Sequence, residues 1–104
     1  MLAKQILLHS PGPWDTPPAD DDGRKMRRVV MCADHPVAYV EPDGMERGER
    51  DANAWLISAA PDLFEALHAL VHEIETGGAP NLQHLTLLCE PAHAALTKAT
   101  GTIS

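Results

Sequence analysis

The chain has 104 residues, with 8 Lys+Arg against 15 Asp+Glu and a formal net charge of −7. This length excludes two full domains and the larger cofactor-binding folds, and it leaves one small domain, residues 1–104, with a modest core. No apolar run approaches the ~20 residues that span a bilayer, and the first residues lack the cleavage pattern of a signal peptide. We therefore expect neither a membrane span nor a leader.

The distribution of charge and the number of cysteines exclude further classes of protein. Residues 1–50 carry a net charge of −2 and residues 51–104 a net charge of −5. Nucleic-acid binding rests on Lys and Arg that neutralise phosphates, so direct binding of nucleic acid is not expected. Cys32 and Cys89 are too few for a disulfide scaffold, and each lies in an apolar stretch. They are predicted to be free, buried thiols in a reducing compartment.

The first part of the chain predicts a loop followed by a small sheet. Residues 10–23 are rich in Pro, Gly and Asp, so residues 1–25 are predicted to form a loop-rich N-terminal segment, with Trp14 anchoring the loop to the core. Residues 26–42 hold two runs of β-branched and aromatic residues, which predict an antiparallel β-hairpin. Two strands alone are marginally stable, so a short third strand around Trp14 is expected to complete a three-stranded sheet.

Residues 49–100 predict the helical part. Apolar residues recur at helical spacing over about 51–60, 61–76 and 81–100, and Asp51 is placed as the N-cap or first-turn acid of the first helix. Pro91 would lie on the polar side of the third helix, which favours one kinked helix over two short ones. The residues predicted to face the core are Ala52, Trp55, Leu56 and Ala59; Leu63, Phe64, Leu67, Leu70, Val71 and Ile74; and Leu82, Leu85, Leu88, Cys89, Ala92, Ala95, Leu96 and Ala99.

Catalytic chemistry has weak support in this sequence. His68 and His72 are spaced i, i+4 on the polar side of the second helix, which is metal-ligand geometry, but the zinc-protease motif would need Glu where Ala69 stands. The serines lack a nucleophile-elbow context, and the glycines form no phosphate-binding loop. The sequence thus predicts no catalytic residue, no metal site and no cofactor, with His68 and His72 as the candidates should a metal bind.

Interaction with another protein is the better prediction. Leu87 and Ile57 fall outside the apolar arcs of their helices, and each is a candidate surface contact. The alanines of the third helix would let another helix approach closely. The alternative is that such exposed apolar residues are isolated and without function.

Two segments resemble a family of small phage and prophage proteins. Residues 9–14, His-Ser-Pro-Gly-Pro-Trp, resemble a His-Thr-Pro-Gly-Pro-Trp opening. Residues 51–67 are similar to the stretch Asn-Ala-x-Leu-Ile-x-Ala-Ala-Pro-Asp-Leu-Leu-Glu-Ala-Leu. The departures are Ser10, Phe64 and Trp55, the last being either a partner contact or a core residue. The matching residues have structural character, and they are Pro11, Gly12, Pro13, Trp14, Asn53, Leu56, Ile57, Pro61, Asp62 and Leu63.

The resemblance implies a temperate-phage protein that acts in the bacterial cytoplasm, in a family whose members mostly have no assigned activity. Together with the residue patterns, it predicts an α+β domain in which a short antiparallel sheet precedes two or three packed helices. The expected function is non-enzymatic: binding to a host or phage protein, one version being inhibition of an anti-phage defence complex through its basic, nucleic-acid-binding surface. The alternatives are a metal-binding protein or enzyme using His68 and His72, and a homodimeric structural or assembly protein.

Overall fold

A computed structural model describes residues 9–76 and 82–101 of the chain. A three-stranded sheet is followed by three helices, which confirms the predicted α+β class. In chain order the elements are β1 (Trp14–Asp15), β2 (Arg28–Cys32), β3 (His35–Val40), α1 (Arg47–Ser58), α2 (Ala60–Thr76) and α3 (Leu82–Ala99).

The sheet is antiparallel, in the order β1-β2-β3. The predicted strand around Trp14 is present, and Trp14 lies opposite Cys32 of the central strand. Pro36 lies on the edge strand β3, opposite Met31 and beside a register shift between Val30 and Met31. A proline is tolerated there because an edge strand next to an irregularity does not need its missing N–H.

Helix α1 differs from the prediction at its start and in its buried face. It begins at Arg47, with Glu46 as N-cap, so Asp51 lies inside the helix rather than at its end. The buried residues are Arg50, Ala54 and Ser58, one turn apart, whereas Leu56 is exposed. The predicted core face was wrong for Ala52 and Leu56, whereas Ala59 is buried as predicted. Ion pairs described below bring a polar side of α1 inward.

Helices α2 and α3 form an antiparallel hairpin. Lys98 Nζ at the end of α3 lies 2.7 Å from Asp62 Oδ2 at the start of α2. At the other end of the hairpin, His84 Nδ1 lies 3.0 Å from Glu73 Oε2. Helix α3 continues through Pro91, as predicted, and the proline is on the exposed side. The predicted first residue of this helix, Asn81, lies outside the described residues.

The core of the described part of the chain is made of small side chains. Its buried apolar members are Val30, Cys32, Val40, Ala54, Ala59, Ala66 and Ala95. The larger apolar residues of α2 and α3 that were predicted to face the core are half-buried or exposed instead. Cys32 is buried and free as predicted, while Cys89 is free but exposed. Within residues 9–76 and 82–101, no single helix is long and apolar enough to cross a membrane; α1 and α2 pass that test only as a pair bent by 45°.

Candidate functional site

Arg50 joins three separate parts of the chain. Its guanidinium donates to Asp21 Oδ1 at 2.6 Å, to the Met26 carbonyl oxygen at 2.7 Å and to Asp51 Oδ1 at 2.8 Å. Arg28 Nη1 lies 3.0 Å from Asp51 Oδ1. Arg50 is only 2% exposed. These charges pair with one another in the interior, so they hold the loop, the sheet and α1 together.

Both carboxyl groups of this network are stabilised in their charged form. The hydrogen bond from Arg50 lowers the pKa of Asp21 to about 2, helped by the backbone N–H of Met26. Burial raises the pKa of Asp51, but hydrogen bonds from Arg50 and Arg28 outweigh it and hold that pKa below its usual value. At acidic pH the folded protein therefore binds fewer protons at these two groups than the unfolded chain does.

The free energy of unfolding is therefore expected to fall as the pH drops from about 4 towards about 2, because the unfolded carboxylates take up protons first. Urea unfolding at a series of acidic pH values measures this. Asp21→Asn removes one titrating carboxyl group and should flatten the profile while lowering stability at neutral pH. A pH-independent unfolding midpoint in the wild-type chain across this range would contradict the assignment.

An open cavity of about 510 Å³ lies between the sheet, α1 and α3. Trp55, Arg28 and Lys98 line it, with the Arg28 guanidinium 5.7 Å from the centre of the Trp55 ring. Both cations already pair with carboxylates, Arg28 with Asp51 and Lys98 with Asp62. Gly101, at φ +74°, lies against the indole so closely that a Cβ atom would clash with the ring. Trp55 therefore packs against the end of α3.

His68 and His72 are neighbours on α2. Their rings stack with centroids 6.3 Å apart, and Phe64 stacks on His68 at 6.1 Å. His72 Nδ1 is buried and has no hydrogen-bond partner among the described residues. Across residues 9–76 and 82–101, no group of three or more His, Cys, Asp or Glu side chains could hold a metal ion. The two histidines border the apolar surface described below.

The first of the two family-like segments, residues 9–14, packs a loop onto the start of α2. Trp14 Nε1 donates to the Ser10 carbonyl oxygen at 3.2 Å, and Cys32 Sγ donates to the Pro11 carbonyl oxygen at 3.3 Å. A Cβ atom on Gly12 would lie 2.9 Å from Pro61 Cβ, so only glycine allows this close approach. The Gly12–Pro13 peptide bond is cis.

The second family-like segment, residues 51–67, runs from α1 across the junction between the two helices into α2. Asn53 Nδ2 lies 3.8 Å from Met45 Sδ, and Pro61 is buried. Ile57 and Leu63 are half-buried, whereas Leu56 is an exposed large apolar residue. Some residues of this motif therefore pack inside the domain, while Leu56 remains on its surface.

Helix α2 presents its larger apolar side chains to solvent. Ala66, whose side chain is small, is buried towards α3, while Leu67 on the neighbouring face is 62% exposed. Phe64, Val71 and Ile74 are exposed beside Leu67. The apolar arc of α2 is wider than the surface that α3 covers. The prediction that Phe64, Leu67, Val71 and Ile74 face the core was therefore wrong.

Helix α3 adds a second exposed apolar strip. Leu82, Cys89 and Leu96 are exposed, and all three lie on one side of the contact line through the buried Ala95. On each helix, the exposed apolar strip is reached from the residues that contact the other helix by turning about the helix axis in the same direction, as seen along the chain. Because the helices are right-handed and antiparallel, this rotation turns both strips towards the same side of the hairpin.

We call this joined surface the apolar face. Its residues are Phe64, Leu67, Val71, Ile74, Leu82, Cys89 and Leu96. Half-buried Leu63, Leu70 and Leu85 lie between the two strips. Leu87, which the sequence offered as a surface contact, is 58% exposed but points away from this face. The sequence shows these apolar residues clearly, but it does not show that their own chain leaves them uncovered.

Comparison with known proteins agrees with a phage origin. Residues 2–103 match the family described as Salmonella phage P22 protein Y8K6. The chain matches no curated protein and no solved structure. The family match spans nearly the whole sequence, and the chain therefore belongs to the Salmonella phage P22 protein Y8K6 family.

Proposed function

We propose that this phage protein is a non-enzymatic accessory protein that acts by binding another protein, with the apolar face as its contact surface. The observation that carries the proposal is the exposure of seven apolar side chains on one side of a helical hairpin. Single exposed apolar residues are ordinary, but a contiguous patch of this kind marks an interaction site.

The charge around this face supports a partner with a basic surface. Among the described residues, the Lys and Arg side chains of the helices, Arg47, Arg50 and Lys98, are each paired with a carboxylate. Glu65 and Glu90 form no ion pair within the described part of the chain. A basic, nucleic-acid-binding surface of a host or phage protein would be attracted to this outer charge, and a bacterial anti-phage defence complex is one such target.

Affinity capture from host lysate tests the function. We expect the wild-type chain to retain one stoichiometric partner and Leu67→Glu to lose it, because the new carboxylate lies in the middle of the apolar face. Leu87→Glu is the matched control, since Leu87 is almost equally exposed but lies off the face. Equal capture by all three proteins, or capture of nothing specific at any salt concentration, would contradict the proposal.

A further inference from the structure

We propose that a second copy of this chain covers the apolar face, so that two α2/α3 hairpins pack face to face as a four-helix bundle. This inference rests on the proposed function, because it names a protein that the same surface binds. An antiparallel hairpin with one apolar side is half of such a bundle, and its second half must come from another hairpin.

The spacing of the exposed residues fits helix-on-helix packing. Phe64, Leu67, Val71 and Ile74 follow one another at intervals of three, four and three residues along α2. On α3 a similar rhythm runs through Leu82, Leu85, Cys89, Ala92 and Leu96. Alternation of three and four residues is the pattern with which side chains of one helix fit between those of a facing helix.

The lack of charge within this face allows a second copy to pack against it. The seven residues of the apolar face are uncharged, and the exposed carboxylates of α2 and α3, Glu65, Glu75 and Glu90, lie outside these seven positions, with Glu75 at the edge of the face. Two copies that each carry a net charge of −7 repel one another, so they can associate closely only through a surface without carboxylates.

The size of the face also fits a dimer. The exposed fractions of its six large apolar residues, from 38% for Phe64 to 80% for Leu82, leave much of each side chain in solvent. Together they correspond to roughly 600 Å² of apolar surface per protomer, close to the ~800 Å² that each partner buries in a standard stable interface. Few soluble monomers expose a larger apolar patch.

The mass of the protein in solution tests the inference. Sedimentation of the full chain at micromolar concentration should give twice the 11.2 kDa chain mass. Leu67→Glu, and independently Ile74→Glu, should shift the protein to the chain mass or raise the dissociation constant at least about tenfold. Leu87→Glu should remain dimeric. A wild-type monomer, or a dimer that persists equally in all variants, would overturn the inference.

Labelling of Cys89 identifies what covers the face. Cys32 is buried, so a thiol reagent applied to the folded protein reports on Cys89. We expect slow labelling in the wild-type dimer and fast labelling in Leu67→Glu. Slow labelling of a monomer would mean that no second copy is needed to protect Cys89, and fast labelling at every concentration would mean that the face is uncovered; both results overturn the inference.

The two proposals fail separately. A dimer with protected Cys89 and no captured target leaves the bundle in place and removes the accessory-binding function. A monomer that captures one target in a Leu67-dependent way retains the function and removes the bundle.

Discussion

Arg50→Ala is expected to lower the free energy of unfolding by about 3 kcal/mol, because removing one member of a buried ion-pair network leaves its partners uncompensated. Arg50 donates hydrogen bonds to Asp21, Asp51 and the Met26 carbonyl oxygen, and no other described side chain reaches all three. A small domain has only about 5–15 kcal/mol of stability in total, so this loss is large. Chemical unfolding followed by circular dichroism measures it.

Arg47→Ala is the matched control on the same helix. Arg47 Nε lies 3.7 Å from Asp21 Oδ2, but its side chain is 51% exposed. An exposed pair of this kind contributes at most about 1 kcal/mol. Arg50→Lys, which keeps the charge but loses the forked geometry, should lie between the two. If Arg47→Ala and Arg50→Ala unfold at the same denaturant concentration, the network does not have the role assigned to it.

The Arg50 network also shows why the buried face of α1 could not be predicted. Apolar periodicity pointed to the side with Trp55 and Leu56, because a charged residue normally counts against burial. Arg50 can be buried because it pairs with Asp21, which lies 29 residues earlier in a loop with no regular pattern. A long-range ion pair of this kind leaves no local signal in the sequence. The folded structure is needed to reveal it.

The strands and Pro91 were predictable because their signals are local. Runs of β-branched residues separated by a turn predict β2 and β3 wherever they pack. The apolar residues of α3 keep the same helical spacing before and after Pro91, and Pro91 itself lies on the exposed side of the helix, where its ring meets solvent.

The candidate site was predicted only in part. Apolar residues of α2 were identified, but periodicity shows that an arc is apolar and does not show which neighbour covers it. Because α3 packs against the small Ala66, the arc with Leu67 and Val71 remains exposed. The expected interaction therefore moves from the isolated Leu87 to a continuous face. A second copy of the chain, which was one of the two alternatives to the leading hypothesis from the sequence, is for this reason the occupant that we propose for the face.

The second large effect is expected where α1 packs on the sheet. Ala54 of α1 and Val30 of β2 are both completely buried, and α1 lies against β2 and β3. The small side chain at position 54 lets the helix approach the strands closely, and this close packing replaces the large apolar residues that the core lacks. Ala54→Leu adds three carbon atoms without space to hold them, so we expect a loss of about 2 kcal/mol in the free energy of unfolding.

Ala52→Leu separates packing from helix propensity. Ala52 is on the same helix and exposed, so the same substitution there changes intrinsic helix propensity by a similar amount without entering the core. We expect its free energy of unfolding to stay within about 0.5 kcal/mol of the wild-type value. Denaturant unfolding of the three proteins, monitored at a concentration that keeps their association state the same, measures the difference. If Ala54→Leu were as stable as Ala52→Leu, α1 would have room to move away from the sheet, and the close approach at Ala54 would not be what holds the domain together.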